Sequence, residues 1–181
     1  MTLRLLPAAI VLLAAASVSA DPVPRVGVVD VQAVLTKSAK GMSARQILEK
    51  EKNDYQVEMD LRRRELDILR DEIEKSELAP AAKRNKQEQL ERSRREAARR
   101  AEHFQRALES HEQVLVRQLL EEMVKTIREL GLEQQYDSIV EHRTNKAIYE
   151  RTGASIANAT KTTDVTEDVM RRLDARQFVP Q

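Results

Sequence analysis

The 181-residue chain contains no cysteine. Disulfide bridges and a lipid-modified N-terminal cysteine are therefore excluded, and stability has to come from packing or from assembly. Aromatic residues make up only 3% of the chain, whereas charged residues make up 34%. So few large side chains cannot fill one compact globular core. This composition favours long solvated helices on a small base that contains β-strands and assembles from several copies.

An excess of charge of one sign is also missing. Lys and Arg number 31 against 30 for Asp and Glu, and removal of Arg4 with a cleaved leader would leave 30 of each. A protein dedicated to nucleic acid needs a basic surplus to displace counterions from phosphates. The balanced charge therefore argues against a nucleic-acid partner.

Glycine and proline are rare and unevenly placed. All four glycines lie outside residues 42–130, and Pro80 is the only proline within that stretch. These two residue types are the most costly in a helix, by about 1 and 3 kcal/mol relative to Ala. Their exclusion predicts two long helices that fold back on each other near residues 78–81, each roughly 50 Å or more in length. We assign residues 42–130 to this helical hairpin, which we call the arm.

The only long apolar run lies at the N-terminus. Arg4 precedes an apolar stretch over residues 5–16, and Val18-Ser19-Ala20 has the small-residue pattern of a signal-peptidase site. The stretch is too short to span a membrane comfortably. Residues 1–20 are therefore predicted to be a signal peptide cleaved after Ala20, and the mature protein is expected to be exported and soluble.

The two flanking segments, residues 21–41 and 131–181, are predicted to form one small body domain. The run VGVVD at residues 26–30 is rich in β-branched residues, which is typical of a strand, and a short helix is expected over residues 31–38. Gly41 precedes the first arm helix. Gly131 is expected to cap the C-terminus of the second.

The C-terminal segment contains two further strand-like runs, residues 136–140 and 146–149, which are predicted to form a hairpin. Residues 153–163 are small and polar and are predicted to be a loop. Thr163 or Asp164 is expected to cap a last amphipathic helix over residues 165–176. Three short strands make a sheet too small to be stable alone, so further strands or a packing face are expected from other copies of the chain.

Apolar residues recur along both arm helices at roughly seven-residue intervals, which favours packing of one helix on the other. The seam is thin, because Arg and Ala occupy positions where Leu would be expected. Its density rises towards residues 115–130. The distal part of the arm is therefore expected to be flexible.

The second arm helix carries an arginine cluster that consists of Arg92, Arg94, Arg95, Arg99 and Arg100. An antiparallel hairpin places residues whose numbers sum to about 160 opposite each other. Glu65 should therefore lie near Arg94 and Arg95, and Asp60 near Arg99 and Arg100. Exposed ion pairs contribute only about 0.3–0.5 kcal/mol each. The cluster is either a patch for an anionic lipid or an acidic substrate, or the solvated and ion-paired face of a helix.

Motifs for catalysis are missing. The chain has no phosphate-binding loop, no HExxH and no GxSxG pattern. Its three histidines, His103, His111 and His142, have no neighbouring His or Cys that completes a metal set. We therefore expect no enzyme activity, no bound metal and no cofactor.

The order of these parts resembles a known family. A signal peptide, the run VGVVDVQAVL at residues 26–35, a long charged helical hairpin, YDSIV at residues 136–140 and DVTEDV at residues 164–169 are together similar to the Skp (OmpH-like) periplasmic chaperones. The similarity covers nearly all of the mature chain. The opening strand motif and the ending are its most specific pieces.

This resemblance implies an α+β, mostly α fold, in which the long antiparallel hairpin projects as a coiled-coil tentacle from a small β-containing body. The body would trimerise into a barrel, so that three arms surround a cavity. The resemblance also implies an ATP-independent holdase of the periplasm, which binds unfolded outer-membrane proteins in that cavity and prevents their aggregation.

Apolar side chains outside the helix–helix seam are the candidate contacts for such clients: Val57, Leu61 and Ile68. An anionic lipid or lipopolysaccharide surface is a further candidate partner. The sequence leaves one other function open, which is a periplasmic coiled-coil spacer or adaptor without chaperone activity.

Overall fold

The computed structural model describes residues 23–75, 77–151 and 161–176. The predicted signal peptide, most of the loop predicted over residues 153–163 and the chain after Arg176 lie outside these described residues. In chain order the elements are β1 (Val26–Val29), α1 (Val31–Lys37), α2 (Ala39–Lys75), α3 (Pro80–Glu133), β2 (Ser138–Glu141), β3 (Ala147–Glu150), β4 (Thr162–Asp164) and α4 (Thr166–Asp174). The predicted fold class, mostly helical with a small sheet, is confirmed.

The arm consists of α2 and α3, which fold back on each other and are about 55 Å and 80 Å long at roughly 1.5 Å per residue. The break between them lies where the sequence predicts it, since α3 begins at Pro80. Proline fits this position because the N–H group that it lacks has no partner in the first turn of a helix.

Two glycines that were expected outside the arm helices lie inside them. Gly41 is in the first turn of α2, where a Cβ atom would lie 2.0 Å from the carbonyl oxygen of Leu35. Gly131 is in the last turn of α3, where a Cβ atom would lie 2.5 Å from the ring of Tyr149. The prediction that Gly131 caps α3 is wrong, because its missing side chain serves close packing. The chain leaves the helix at Gln135 instead, with a positive φ of 56°.

The described residues of the body form a four-stranded sheet in the order β3-β2-β1-β4. The central strand β1 pairs in parallel with β2 and with β4, whereas β2 and β3 form the predicted antiparallel hairpin. The strand β4 corrects the expectation of a loop up to residue 163. Its three residues are polar and exposed, so they lack the apolar alternation that marks a strand in a sequence, and pairing with β1 determines their conformation.

The arm is the connection between two neighbouring parallel strands. The chain leaves β1, runs through α1, α2 and α3, and returns as β2 beside β1, with Gly27 opposite Ile139. Parallel strands require such a crossover, which is usually one helix. Here a hairpin of two long helices takes its place, so both ends of the arm are fixed to the body.

The core lies where the base of α3 meets the sheet and α4. One face of the short helix α4 packs against this base, as its amphipathic sequence predicts. The buried cluster consists of Val29, Val34, Leu119, Met123, Ile127, Leu130, Tyr136, Ile139, Tyr149, Val165, Val169 and Leu173.

Hydrogen bonds connect α4 to its neighbours at both ends. The predicted cap Asp164 lies one residue before the N-cap position, and its carboxylate accepts a hydrogen bond from the backbone N–H of Thr166 at 2.9 Å. The carboxylate of Asp174 accepts hydrogen bonds from the backbone N–H groups of Ala39 (2.9 Å) and Lys40 (3.2 Å). These N–H groups are unpaired donors of the first turn of α2, so the body caps the arm helix.

Candidate functional site

The two arm helices bury side chains near the body and near the tip, but not between them. At the base, α3 buries Leu115, Leu119 and Met123 in succession. Near the tip, Leu90 of α3 and Ile73 of α2 are buried. Between Leu90 and Leu115, where every residue of α3 is described, none is buried. The middle of the arm therefore has the thin seam that the heptad pattern predicts.

Contacts across the arm define the register of the two helices. The rings of Tyr55 and Phe104 are stacked, with their centroids 4.2 Å apart. Farther out, a carboxylate oxygen of Glu58 lies 2.8 Å from a guanidinium nitrogen of Arg100. In both pairs the residue numbers sum to about 160, so the predicted antiparallel register is confirmed.

The ion pairs that were expected for Glu65 and Asp60 across the arm are replaced by contacts within α2. Glu65 accepts a hydrogen bond from Arg62 at 3.0 Å, and Asp60 accepts one from Gln56 at 3.0 Å. Side chains three or four positions apart on one helix are already neighbours. They therefore compete with partners on the opposite helix, which the register alone does not reveal.

The three predicted client contacts share one exposed face of α2. Val57, Leu61 and Ile68 are 62%, 53% and 60% exposed. Their spacing of four and seven residues places them in one row along the helix. Lys50 and Arg64 lie in the same row and are also exposed. We call this row the α2 stripe, and its role in binding stays a prediction.

Some arginines of the cluster form ion pairs and others do not. Arg92, Arg94 and Arg100 form ion pairs with glutamates at 2.8–3.4 Å. Within the part of the chain that the structure describes, Arg95 and Arg99 form no ion pair; they are exposed and one helical turn apart. The anionic-surface patch stays a prediction, and these two arginines are the members that remain free to bind such a surface.

A groove of about 400 Å³ opens between the helices in the middle of the arm. Leu66 and Leu69 of α2 and Ala97 of α3 line it and are half-buried, while exposed Ile68 at its edge joins it to the α2 stripe. The sequence did not identify this groove as a site. Its signal was present, because Ser93 and Ala97 are the small residues that make the seam thin.

The charged side chains of the groove are held by partners. The hydrogen bond from Arg62 to Glu65, followed by the charge of Glu65, raises the pKa of Arg62 above its ordinary value. Glu72 forms an ion pair with Lys86 of the opposite helix at 2.7 Å. The edge of the groove is therefore ionic but largely neutralised.

A second apolar surface lies on α3 near the body. Leu132 is 64% exposed, and it lines a shallow apolar groove together with half-buried Leu120 and Val124. We call these three residues the α3 flank. The sequence did not single out Leu132, because Gly131 was expected to end the helix before it.

The histidines lie apart from one another. His111 Nδ1 is 2.8 Å from a carboxylate oxygen of Glu51, whereas the ring of His103 meets that of Phe104 edge-on. Among the described residues, no group of three or more His, Asp and Glu side chains could hold a metal ion. In the same part of the chain, no helix has an apolar stretch long enough to cross a membrane.

Known proteins resemble this chain in sequence and in fold. The family model for outer membrane protein (OmpH-like) matches residues 25–173. The crystal structure of a candidate outer membrane chaperone (OmpH-like) from Caulobacter crescentus CB15 aligns with a TM-score of 0.71 and 19% sequence identity, over 85% of this chain and 86% of that one. No curated protein gives a significant match. Because the family model covers the body and the arm, the chain belongs to the outer membrane protein (OmpH-like) family.

Proposed function

We propose that this protein is an ATP-independent holdase chaperone of the periplasm, which binds unfolded outer-membrane proteins and prevents their aggregation. Membership of the OmpH-like family supports this function. The observation that carries it is the α2 stripe, in which three large apolar side chains are each more than half exposed. A row of weak apolar contacts on a loosely packed arm suits binding to many sequences.

A holdase acts by binding alone. Because it binds unfolded chains in preference to folded ones, it lowers the concentration of free unfolded chains without an energy source. The sequence agrees with this mode of action, since it has no phosphate-binding loop. Each contact has to be weak, so that the client can leave and fold.

The proposal includes a homotrimer whose bodies close into a barrel. Among the described residues of a single chain, β3 and β4 are the two edge strands of the sheet, and unpaired edges favour pairing with another chain. Light scattering with small-angle X-ray scattering should give the mass of three copies and an elongated shape, and a compact monomer would contradict this assembly.

The chaperone activity is tested with a denatured outer-membrane β-barrel protein diluted into buffer. The mature protein at a stoichiometric trimer concentration should suppress the light scattering of aggregates. The triple variant V57S/L61S/I68S should lose most of this suppression, whereas the control N53S/R63S/D67S, which changes three exposed polar residues of α2, should keep it. If the unmodified protein does not suppress aggregation, the spacer or adaptor function replaces the chaperone function.

Export is part of the same proposal. The protein recovered from a periplasmic fraction should begin at Asp21, as N-terminal sequencing would show. A chain that stays in the cytosol with residues 1–20 attached would contradict the periplasmic assignment.

A second binding function is proposed for the free arginines of α3. Arg95 and Arg99 are exposed and one turn apart, which suits an anionic lipid or lipopolysaccharide surface. The variant R95Q/R99Q should weaken binding to anionic liposomes, whereas R92Q, which removes an arginine that is paired with Glu88, should weaken it less. Binding that is absent or insensitive to salt would dismiss this function.

A further inference from the structure

The groove in the middle of the arm is bounded by large side chains on both sides. Towards the body, Tyr55 and Phe104 stack across the arm. Towards the tip, Leu90 and Ile73 are buried. Between these two contacts the seam contains small residues of α3, so the space is a separate pocket and not a uniform gap along the arm.

Small side chains create this space. Ser93 and Ala97 are one helical turn apart on α3 and line the groove, opposite Leu66 and Leu69 of α2. The resulting volume of about 400 Å³ falls in the range of pockets that bury small molecules. It is ample for one large side chain. No aromatic residue of the described chain lines the groove.

The charges of the groove favour an uncharged occupant. Arg62 is paired with Glu65, Arg100 with Glu58, and Glu72 with Lys86. A charged side chain would lose water on entering and would find these partners already engaged. A neutral group therefore suits the groove better than a charged one.

Two guanidinium groups further restrict the class of occupant. Arg62 and Arg100 line the groove; Arg62 is held by Glu65, and Arg100 is held by Glu58 and Glu96. A planar guanidinium group stacks well on the face of an aromatic ring. Leu66 and Leu69 together with the two guanidinium groups thus suit an aromatic side chain better than an aliphatic one.

We infer that this groove is an anchoring pocket for one aromatic side chain of an unfolded client chain. The inference rests on the proposed chaperone function and adds the residue class that the arm selects. Ile68 belongs both to the edge of the groove and to the α2 stripe, so a client strand that lies along the stripe brings its side chains to the groove. Transmembrane β-strands carry such aromatic residues at both membrane interfaces.

The test compares A97L, which fills the groove, with A98L, which adds the same side chain at an exposed position of the same helix. Both changes keep a strong helix former, and circular dichroism should show equal helix content. The probes are three unstructured peptides with alternating apolar and polar residues, identical except for a central Trp, Leu or Lys. Fluorescence anisotropy of an attached dye gives each Kd.

The mature protein and A98L should bind the Trp peptide most tightly and the Lys peptide most weakly. In A97L, the Kd of the Trp peptide should rise about tenfold, and that of the Lys peptide should change less than about twofold. Equal affinity of A97L and A98L for the Trp peptide would overturn the inference. Equal weakening of all three peptides by A97L would overturn it too, because that pattern indicates a stiffer arm and not a filled pocket.

These outcomes are separable from the proposed function. If the unmodified protein fails to keep a denatured β-barrel protein in solution, the chaperone function itself is wrong, and the inference falls with it. If it succeeds and A97L behaves as A98L does towards the three peptides, the chaperone function stands without this pocket.

Discussion

The base and the middle of the arm differ sharply, although one helix runs through both. At the base, Ile127 and Leu130 of α3 are fully buried against the sheet and α4. In the middle, the small residues Ser93 and Ala97 follow one another along the groove between the helices, and neither is buried. A buried Leu or Ile contributes about 1.5–3 kcal/mol, so most of the stabilisation per turn lies at the base.

We expect this difference to separate the part of the chain that stabilises the fold from the part that is proposed to bind clients. The tightly packed base can hold the chain in one structure, which leaves the middle of the arm free to keep apolar side chains in contact with solvent. Regions that bind partners are commonly drawn from the least stable parts of a protein. Here the least tightly packed part carries the α2 stripe and the groove.

The largest effect is expected at the base. Ile127→Ala should lower the free energy of unfolding by about 2–5 kcal/mol, because it leaves a cavity in the core. The control Leu108→Ala, at a half-buried position of the arm, should cost less than about 1 kcal/mol. Urea denaturation at a fixed protein concentration measures both values. Similar losses at the two sites would remove the contrast between base and arm.

The second effect tests the close contact at the end of α3. In an exposed helix, Gly→Ala stabilises by roughly 0.5–1 kcal/mol. Gly131→Ala should instead destabilise by about 1–3 kcal/mol, because the new Cβ would lie 2.5 Å from the Tyr149 ring. In a Tyr149→Ala background the penalty should disappear. A stabilising Gly131→Ala in the unmodified chain would contradict the packing at this point.

The third effect lies in the arm. The stack of Tyr55 on Phe104 should give a coupling energy of about 0.5–1.5 kcal/mol in a double-mutant cycle of Tyr55→Ala and Phe104→Ala. In either single variant, amide hydrogen exchange should become faster in the arm and remain unchanged in the core strands. Faster exchange in β1 and β2 would mean that arm and body unfold as one unit.

The smallest effect concerns pH. Hydrogen bonds from the side chain and the backbone N–H of Thr166 lower the pKa of Asp164. A carboxyl group whose pKa is lower in the folded state stabilises the fold above its unfolded pKa, about 3.9, and loses this contribution as the pH falls through the folded value. Asp164→Asn should therefore be slightly less stable at pH 7, and the gap should close in acid. Glu150→Gln, at an exposed position of β3, is the control. If Asp164→Asn remains less stable than the unmodified chain in acid, the lowered pKa of Asp164 is not the cause of the difference.

Much of the arm could be predicted from the sequence because its signals are local. Helix length follows from the exclusion of glycine and proline, and the break follows from Pro80. The register of α2 against α3 follows because both helices start from the same break and run antiparallel. The individual ion pairs do not follow, since Glu65 has Arg62 on its own helix as an alternative partner.

The errors in the body have tertiary causes. Gly131 looks like a helix end in the sequence, and only the neighbouring Tyr149 ring reveals why a glycine is required within the helix. The three polar residues of β4 become a strand because β1 offers them an edge. The groove escaped notice because an alanine in a heptad seam indicates weak packing, and whether the space is a pocket depends on the large residues on either side.

The insertion of the whole arm between β1 and β2 has a consequence for the order in which the chain is expected to fold. Pairing of these two strands closes a loop of roughly a hundred residues, and the entropy of closing such a loop opposes early pairing. Turns of α2 and α3 near Pro80 form between residues close in sequence, and zipping of the two helices brings the distant strands together. We therefore expect the arm to form before β1 and β2 pair, so that the sheet closes late in folding.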